Sequence, residues 1–345
     1  MSTAPHPRDV LFDEGDPTTS LPVCDHYSGV EARMRKSLEL QGELGPVFDV
    51  TLDAEDGAKA GGEVEHAHLI AELVQSTANR FDRVGARIVP RAHPAFEKML
   101  EVLLRDAGER LAYLMIPKPL DAADFEAAAH AVDVIAREVG LARAVPLHAL
   151  VETHGALREV ELLAAHPRLE SLSFGLMDFV SAHRGAIPQS AMTAEGQFAH
   201  PLVVRAKLAI SAACHGHAKT PSHCVVTEFK DSRLLQRAAE RACREFGYSR
   251  MWSIHPDQVR VIVDAFAPSA AEVDLAVEVI LAGQAAEWAP IRLRHGGREH
   301  LHDRASYRYF WHVIERAQRT SAEHESQLPA EARVRWFGQS GAAVA

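Results

Sequence analysis

The sequence predicts a (β/α)8 barrel of the TIM type carrying a C-terminal helical extension, on three observations. Short apolar runs alternate with amphipathic, Ala-rich stretches, the alternation recurs eight times, and its character changes after residue 266. Strands covered on both faces read as continuous apolar runs, and strand signals alternating with helix signals imply parallel βα units. Eight such units close a barrel at ordinary length.

In chain order the strand signals are Leu21–Cys24, Val47–Leu52, Val84–Val89, Tyr113–Ile116, Val145–Val151, Leu172–Phe174, Cys224–Val226 and Met251–Ile254. Helical patterns lie between them, among them Val30–Leu40, Ala123–Glu138, Leu157–Ala165, Pro201–Ala213 and Ser232–Phe246. Residues 1–20 read as a flexible N-terminus, 21–266 as the barrel, 267–337 as a helical lid and oligomerisation extension, and 338–345 as a flexible tail. In the extension Ser269 can cap a helix from Ala270 to about Ala286. A polar, His/Arg-rich stretch, Arg292–Arg304, follows, and then a last helix, Tyr307–Arg319. So small a piece is expected to bury little core alone and to pack on the barrel or on a neighbouring subunit.

Composition narrows the function. With 47% hydrophobic and 24% charged residues the chain has the make-up of a soluble globular protein. A formal charge of −10 argues against nucleic acid and acidic membranes as partners, because both need a basic face. No stretch approaches the ~20 apolar residues of a membrane span, and the first residues lack the apolar core of a secretory signal. Cys24, Cys214, Cys224 and Cys243 show no paired spacing and read as reduced thiols of a cytoplasmic protein. The densest histidine group, His215, His217 and His223 with Cys224, matches no usual zinc spacing and reads as loop histidines.

In such a barrel the active site forms where the strands end, so the polar residues there are read together. Strand two ends in Asp53-Ala54-Glu55-Asp56-Gly57, strand three carries Arg87, and strand four ends in Pro117-Lys118-Pro119. Strand five ends at Glu152-Thr153, and strand six is followed by Gly175-Leu176-Met177-Asp178. Five or more carboxylates at one rim repel unless a cation neutralises them. Oxygen ligands suit a hard ion such as Mg²⁺, with Mn²⁺ as a substitute, and Mg²⁺ usually takes only one or two carboxylates. Glu152 and Asp178, on adjacent strand ends, fit that need. Taken alone, a Glu at a strand end such as Glu152 is more often a helix cap or a surface group than a ligand, and Asp53, Glu55 and Asp56 read equally as a solvated turn. Arg87, in an apolar strand, needs a carboxylate partner from protein or substrate. Lys118, between two prolines, reads as structural or electrostatic rather than as a Schiff-base lysine.

The ordered segments LDAEDGA (52–58), ARIVPR (86–91), IPKP (116–119), LVETHGAL (150–157), LSFGLMDF (172–179), VVTEFKD (225–231), SIHPDQV (253–259) and AFAPSAAEV (265–273) make a recognisable series. It resembles the citrate lyase beta-subunit-like aldolases, which include the malyl-CoA lyases, across roughly residues 45–290. The resemblance implies a Mg²⁺-dependent carbon–carbon lyase acting on a β-hydroxyacyl thioester, CoA being the carrier, to give an oxo-acid such as glyoxylate or oxaloacetate. Glu152 and Asp178 match the metal ligands, and Arg87 the arginine holding the oxo-acid carboxylate. Glu55 and Asp56 match the acidic pair near substrate, with Gly175 and Lys118 also on the substrate side. Asp303, in LHDRASY, is similar to an acidic lid residue that takes part in proton transfer. A homo-trimer or hexamer is also implied.

This chain departs from the family pattern at three places. Cys24-Asp25-His26-Tyr27 stands where the family has a V-P-G-type turn, His223 replaces an acidic residue, and Met251 replaces a lysine. Arg33 or Arg35 stands where an arginine helps to hold CoA. Two alternatives follow: a thioesterase acting on malyl-type thioesters with Asp303 activating water, or a silent oxo-acid-binding subunit.

Overall fold

Eight parallel strands close into a barrel in chain order, the last pairing with the first. They are β1 (Cys24–Ser28), β2 (Phe48–Asp53), β3 (Val84–Arg87), β4 (Leu114–Ile116), β5 (Leu147–Val151), β6 (Leu169–Phe174), β7 (Thr220–His223) and β8 (Arg250–Ser253). The structure is a computed structural model and describes residues 5–13, 21–58, 60–321 and 328–338. The chain divides into two compact units, Thr19–Phe266 and the combination of Met1–Thr18 with Ala267–Ala345.

Helices between the strands cover the barrel with their apolar stripes. The helix Phe96–Ala107 buries Phe96, Met99, Leu100, Leu103 and Leu104, which recur at the spacing of one helical face. Each such side chain contributes about 1.5–3 kcal/mol relative to exposure. Side chains also fix where helices begin. The Asp121 carboxylate accepts the Asp124 N–H ahead of the helix Ala122–Glu138, and Thr153 accepts the Ala156 N–H ahead of His154–Arg158.

Two strands lie away from their apolar signals. β1 is the polar segment Cys24–Ser28 rather than Leu21–Cys24, and β7 is Thr220–His223 rather than Cys224–Val226. The reason is inside the barrel. Asp25, Asp49 and Arg250 are fully buried there. Arg250 Nη1 donates to Asp49 Oδ2 at 2.6 Å and to the Pro22 carbonyl at 2.9 Å, and Nη2 lies 3.2 Å from Asp25 Oδ2. The Thr51 and Tyr113 hydroxyls donate to Asp25 Oδ1 at 2.7 and 3.0 Å. Arg250, Asp25 and Asp49 come from the neighbouring strands β8, β1 and β2, and Tyr113, just before β4, reaches them from across the lumen. Removing one member of such a buried pair costs about 3–5 kcal/mol, because the other charge stays buried. β7 is likewise buried and polar: Ser171 Oγ donates to the Thr220 carbonyl at 2.8 Å, while Ser222 Oγ and His223 Nε2 have no partner among the described residues.

The second unit has a core of its own, against the expectation that it would bury little alone. Leu11, Val273, Ile280, Tyr307, Trp311, Ile314 and Trp336 are buried together. The residues expected to be flexible contribute to it: Pro7–Leu11 form a helix, and Leu11 is fully buried. Two tryptophans and a tyrosine supply the volume that a short segment would otherwise lack. Ser269 caps Ala270–Ala285 through a reciprocal pair with Glu272. The polar stretch is a hairpin, β9 (Ile291–His295) and β10 (Arg298–His302), turned at Gly296 and Gly297 with φ of 57° and 77°. Those angles suit the tight two-residue turn that two glycines permit. The last helices are Arg304–Arg319 and Ala330–Phe337. The tail expected to be flexible lies, beyond Gly338, outside the described residues.

Candidate active site

The strand ends bring Asp53, Glu55, Asp56, Arg87, Lys118, Glu152, Gly175 and Asp178 to one rim. Arg87 closes β3 beside Asp53 of β2, its register partner. Arg87 Nε donates to Asp53 Oδ1 at 2.7 Å and Nη2 to Oδ2 at 2.5 Å, while Nη1 lies 3.2 Å from Glu55 Oε2. Its planar fork is thus held by Asp53, with the Tyr27 ring 5.5 Å from the guanidinium carbon. Burial opposes the charge, but the hydrogen bonds from Arg87 to Asp53 hold the guanidinium well above its usual range. Asp53 is 2% exposed, so the turn reading does not apply to it. It also accepts the Glu55 and Gly57 amides at 3.0 and 2.9 Å, which shapes the loop presenting Glu55 and Asp56.

Lys118 ties the remaining acids together. Its ammonium lies 2.5 Å from Glu55, 2.9 Å from Asp56 and 3.5 Å from Asp178. Its backbone N–H donates to Glu152 Oε1 at 2.9 Å. Lys118 holds a φ of 50°, a left-handed conformation unusual for a side-chain-bearing residue and common at functional sites. Between Pro117 and Pro119 that conformation turns the amide toward Glu152. The lysine is therefore electrostatic, and part of the neutralisation that the acidic rim needs comes from the protein itself. Burial pushes Glu55 up, against the pull of Arg87 and Lys118. Burial works on Asp56 in the same sense, yet the Lys118 hydrogen bond keeps its carboxyl below the usual range.

Glu152 is the group these cations leave short. It is 3% exposed, and burial, reinforced by Asp178, pushes its carboxyl up to about 8. A carboxylate so destabilised as an anion, with a second one close by, is a donor set that suits a hard divalent cation. Among the described residues no three His, Cys, Asp or Glu side chains form a ready cage. Gly175 makes room for this arrangement, since a Cβ there would sit 2.3 Å from Glu152 Oε2 and 2.6 Å from Glu152 Cβ.

Arg87, Asp53 and Asp56 form one side of a cavity of about 810 Å³ whose other side carries His26, Arg33, Trp252 and Phe229. Inside the barrel Tyr27 stacks on Trp252 at 4.4 Å. Sequence reasoning missed Asp53 as the holder of Arg87, and the charged carboxylate partner that Arg87 required was the signal for it. Asp303 belongs to the other unit. There its Oδ1 accepts the Ala305 and Ser306 amides and caps Arg304–Arg319. Of the histidine group, His215 bonds the Gly247 carbonyl, His217 pairs with Glu161, and His223 is buried against Phe198.

No family model matches the sequence. The chain is 30% identical over 248 residues to the L-malyl-CoA/beta-methylmalyl-CoA lyase of Cereibacter sphaeroides, covering 69% of this chain and 77% of that one. The crystal structure of a citrate lyase from Burkholderia xenovorans matches at 50% identity and a TM-score of 0.81, over 97% of this chain and 100% of that one. CitE from Mycobacterium tuberculosis, in complex with magnesium, acetoacetate and coenzyme A, shares the fold at 19% identity and a TM-score of 0.65, over 87% and 99%. Barrel and relatives together define the class: a TIM-barrel carbon–carbon lyase. More narrowly, the chain belongs to the citrate lyase beta-subunit-like family that includes the malyl-CoA lyases.

Proposed function

We propose that this protein is a Mg²⁺-dependent lyase that cleaves or forms a β-hydroxyacyl-CoA thioester, giving an oxo-acid, with glyoxylate and oxaloacetate as candidates, and an acyl fragment. The observation that carries the reading is the pair of carboxylates on adjacent strand ends, Glu152, buried and accepting the Lys118 amide at 2.9 Å, and Asp178, 3.5 Å from the Lys118 ammonium. Glu152 and Asp178 would hold the ion. Bound there, it would act as a Lewis acid toward an oxo-acid carbonyl.

The remaining steps belong to this chain's side chains. Asp53 fixes the Arg87 plane, so Nη1 is the edge placed to take the oxo-acid carboxylate in exchange for Glu55. Glu55 and Asp56 are the bases for the hydroxyl proton when the carbon–carbon bond breaks, and its electrons pass to the thioester enolate. Lys118 balances the charge of that pair, and Gly175 leaves the space in which Glu152 meets substrate. Return of a proton to the enolate carbon falls to Asp303, a role the family resemblance supplies. Removing one aimed donor from a developing charge typically costs about 2.7–4 kcal/mol of barrier. The family resemblance likewise supports a homo-trimer or hexamer, which sedimentation velocity reads directly.

The test is calorimetric titration of Mg²⁺ and of glyoxylate or oxaloacetate into the parent and Glu152→Gln, with mass spectrometry of products from an acyl-CoA panel. The reading requires oxo-acid release by the parent and weakened metal binding in the variant. Free hydroxy-acid with no oxo-acid marks a thioesterase, and binding with no turnover on any thioester marks a silent subunit.

A further inference from the structure

The cavity at the barrel mouth, about 810 Å³, has the size of a site for an extended ligand, more than a four-carbon acid needs. Its β1 wall is the segment in which this chain departs from the family pattern. Along a strand successive side chains alternate sides. Asp25 and Tyr27 face the barrel interior, so His26 points the other way. There it lies in register with Ser253 of β8, is 2% exposed and lines the cavity.

Hydrogen bonding fixes the state of this histidine. His26 Nδ1 lies 2.9 Å from Ser253 Oγ, and Ser253 Oγ donates to the His255 carbonyl at 2.9 Å. A serine hydroxyl has one proton. Since it is given to a carbonyl, the oxygen must accept from the imidazole, which places the ring proton on Nδ1. Nε2 then carries a lone pair and has no side-chain hydrogen-bond partner among the described residues. Burial pushes the imidazole down to about 4, so it is neutral at physiological pH and Nε2 remains an acceptor. Around it the cavity is lined by Val30, Trp252, Ile254 and Pro256, while Arg33 and Lys36 bring positive charge to the same space. An occupant that satisfies all of this has an N–H donor within an otherwise apolar stretch and an anionic end.

We propose that His26 is a specificity-determining residue of this lyase, its Nε2 accepting a hydrogen bond from a secondary-amide N–H on the carrier arm of the thioester substrate. Ser253 is the positioning residue that holds the required tautomer. This rests on the thioester-lyase reading above and adds to it a residue that reads the carrier rather than the acyl group.

The experiment uses the full chain with His26→Phe, which keeps a ring and loses the acceptor, and His26→Gln, which restores an acceptor. Substrates are malyl-CoA and the malyl ethyl thioester, which has no amide. We expect His26→Phe to raise KM for malyl-CoA about tenfold, the scale of one lost hydrogen bond. Its kcat and its kinetics on the ethyl thioester should stay within twofold, and His26→Gln should recover most of the loss. KM for malyl-CoA in the parent should show no His26 inflection between pH 5.5 and 8. An unchanged KM, an equal loss on both thioesters, or an inflection near pH 6.5 that His26→Phe abolishes overturns the proposal. If the parent cleaves neither thioester, the lyase reading fails on its own. The His26 assignment is then read from calorimetric binding of free CoA, expected about tenfold weaker in His26→Phe and refuted by equal affinity.

Discussion

Replacing Gly175 with alanine tests the construction of the metal site with a single methyl group. The added Cβ would lie 2.3 Å from Glu152 Oε2 and 2.6 Å from Glu152 Cβ, where ordinary contact begins at 3.4 Å. Glu152 must therefore retreat by about 1 Å, several times the ~0.2 Å tolerance of a metal–ligand distance. Overpacking of this kind typically costs about 1–3 kcal/mol of stability, and a displaced ligand should lower cation affinity by about 10–100-fold. Gly175 makes no hydrogen bond through a side chain, so no other interaction is deleted. Calorimetric titration with Mg²⁺ and thermal unfolding, with and without the ion, give both quantities. The stabilisation by Mg²⁺ expected of the parent should largely vanish in Gly175→Ala. A variant that binds Mg²⁺ as tightly as the parent and melts at the same temperature would refute the placement of Glu152 as a ligand.

Three further outcomes are expected. Arg87→Lys keeps a charge but loses the fork on Asp53, at about 1.5–3 kcal/mol of stability and about 10²–10³-fold in turnover, measured by chemical unfolding and steady-state kinetics. Without metal, Glu152 holds its proton up to about pH 8 in the folded state, while the unfolded chain releases it near the ordinary 4.5. The folded form binds more protons in that window, so stability should fall by a few kcal/mol as pH rises from 4.5 to 8, and Mg²⁺ should restore it with release of a proton. A metal-free melting temperature unaltered by Glu152→Gln across this range would contradict the assignment. Finally, Asp303→Ala should cost about 1 kcal/mol through the lost cap, whereas Asp303→Asn caps nearly as well. Equal turnover in the parent and Asp303→Asn would remove Asp303 from proton transfer.

The rim was legible because carboxylates and cations punctuate successive strand ends, and a closed barrel forces those ends onto one face. The strands themselves were less so. β1 and β7 are buried without being apolar, β1 because Asp25 pairs with its neighbours inside the barrel, and no search for apolar runs finds such segments. The pairing of Arg87 with Asp53 follows from register, which a linear pattern does not supply. Lys118 was placed by its prolines, but its contact with three carboxylates depends on a left-handed φ that composition does not encode. The hairpin at Gly296-Gly297 did leave a signal, a glycine pair between alternating residues, masked by the charge of the surrounding stretch.

The Arg250 cluster has a consequence for how this protein is made. Asp49 precedes its guanidinium partner by 201 positions, and Asp25 by still more. A ribosome thus releases two acids destined for the lumen long before Arg250, and of earlier cations Arg83 stands 3.5 Å from Asp49 and leaves Asp25 to wait for β8. Until β8 emerges, a half-made cylinder can close only by dehydrating unmatched charge, which discourages premature collapse and leaves the opening strands dependent on the last.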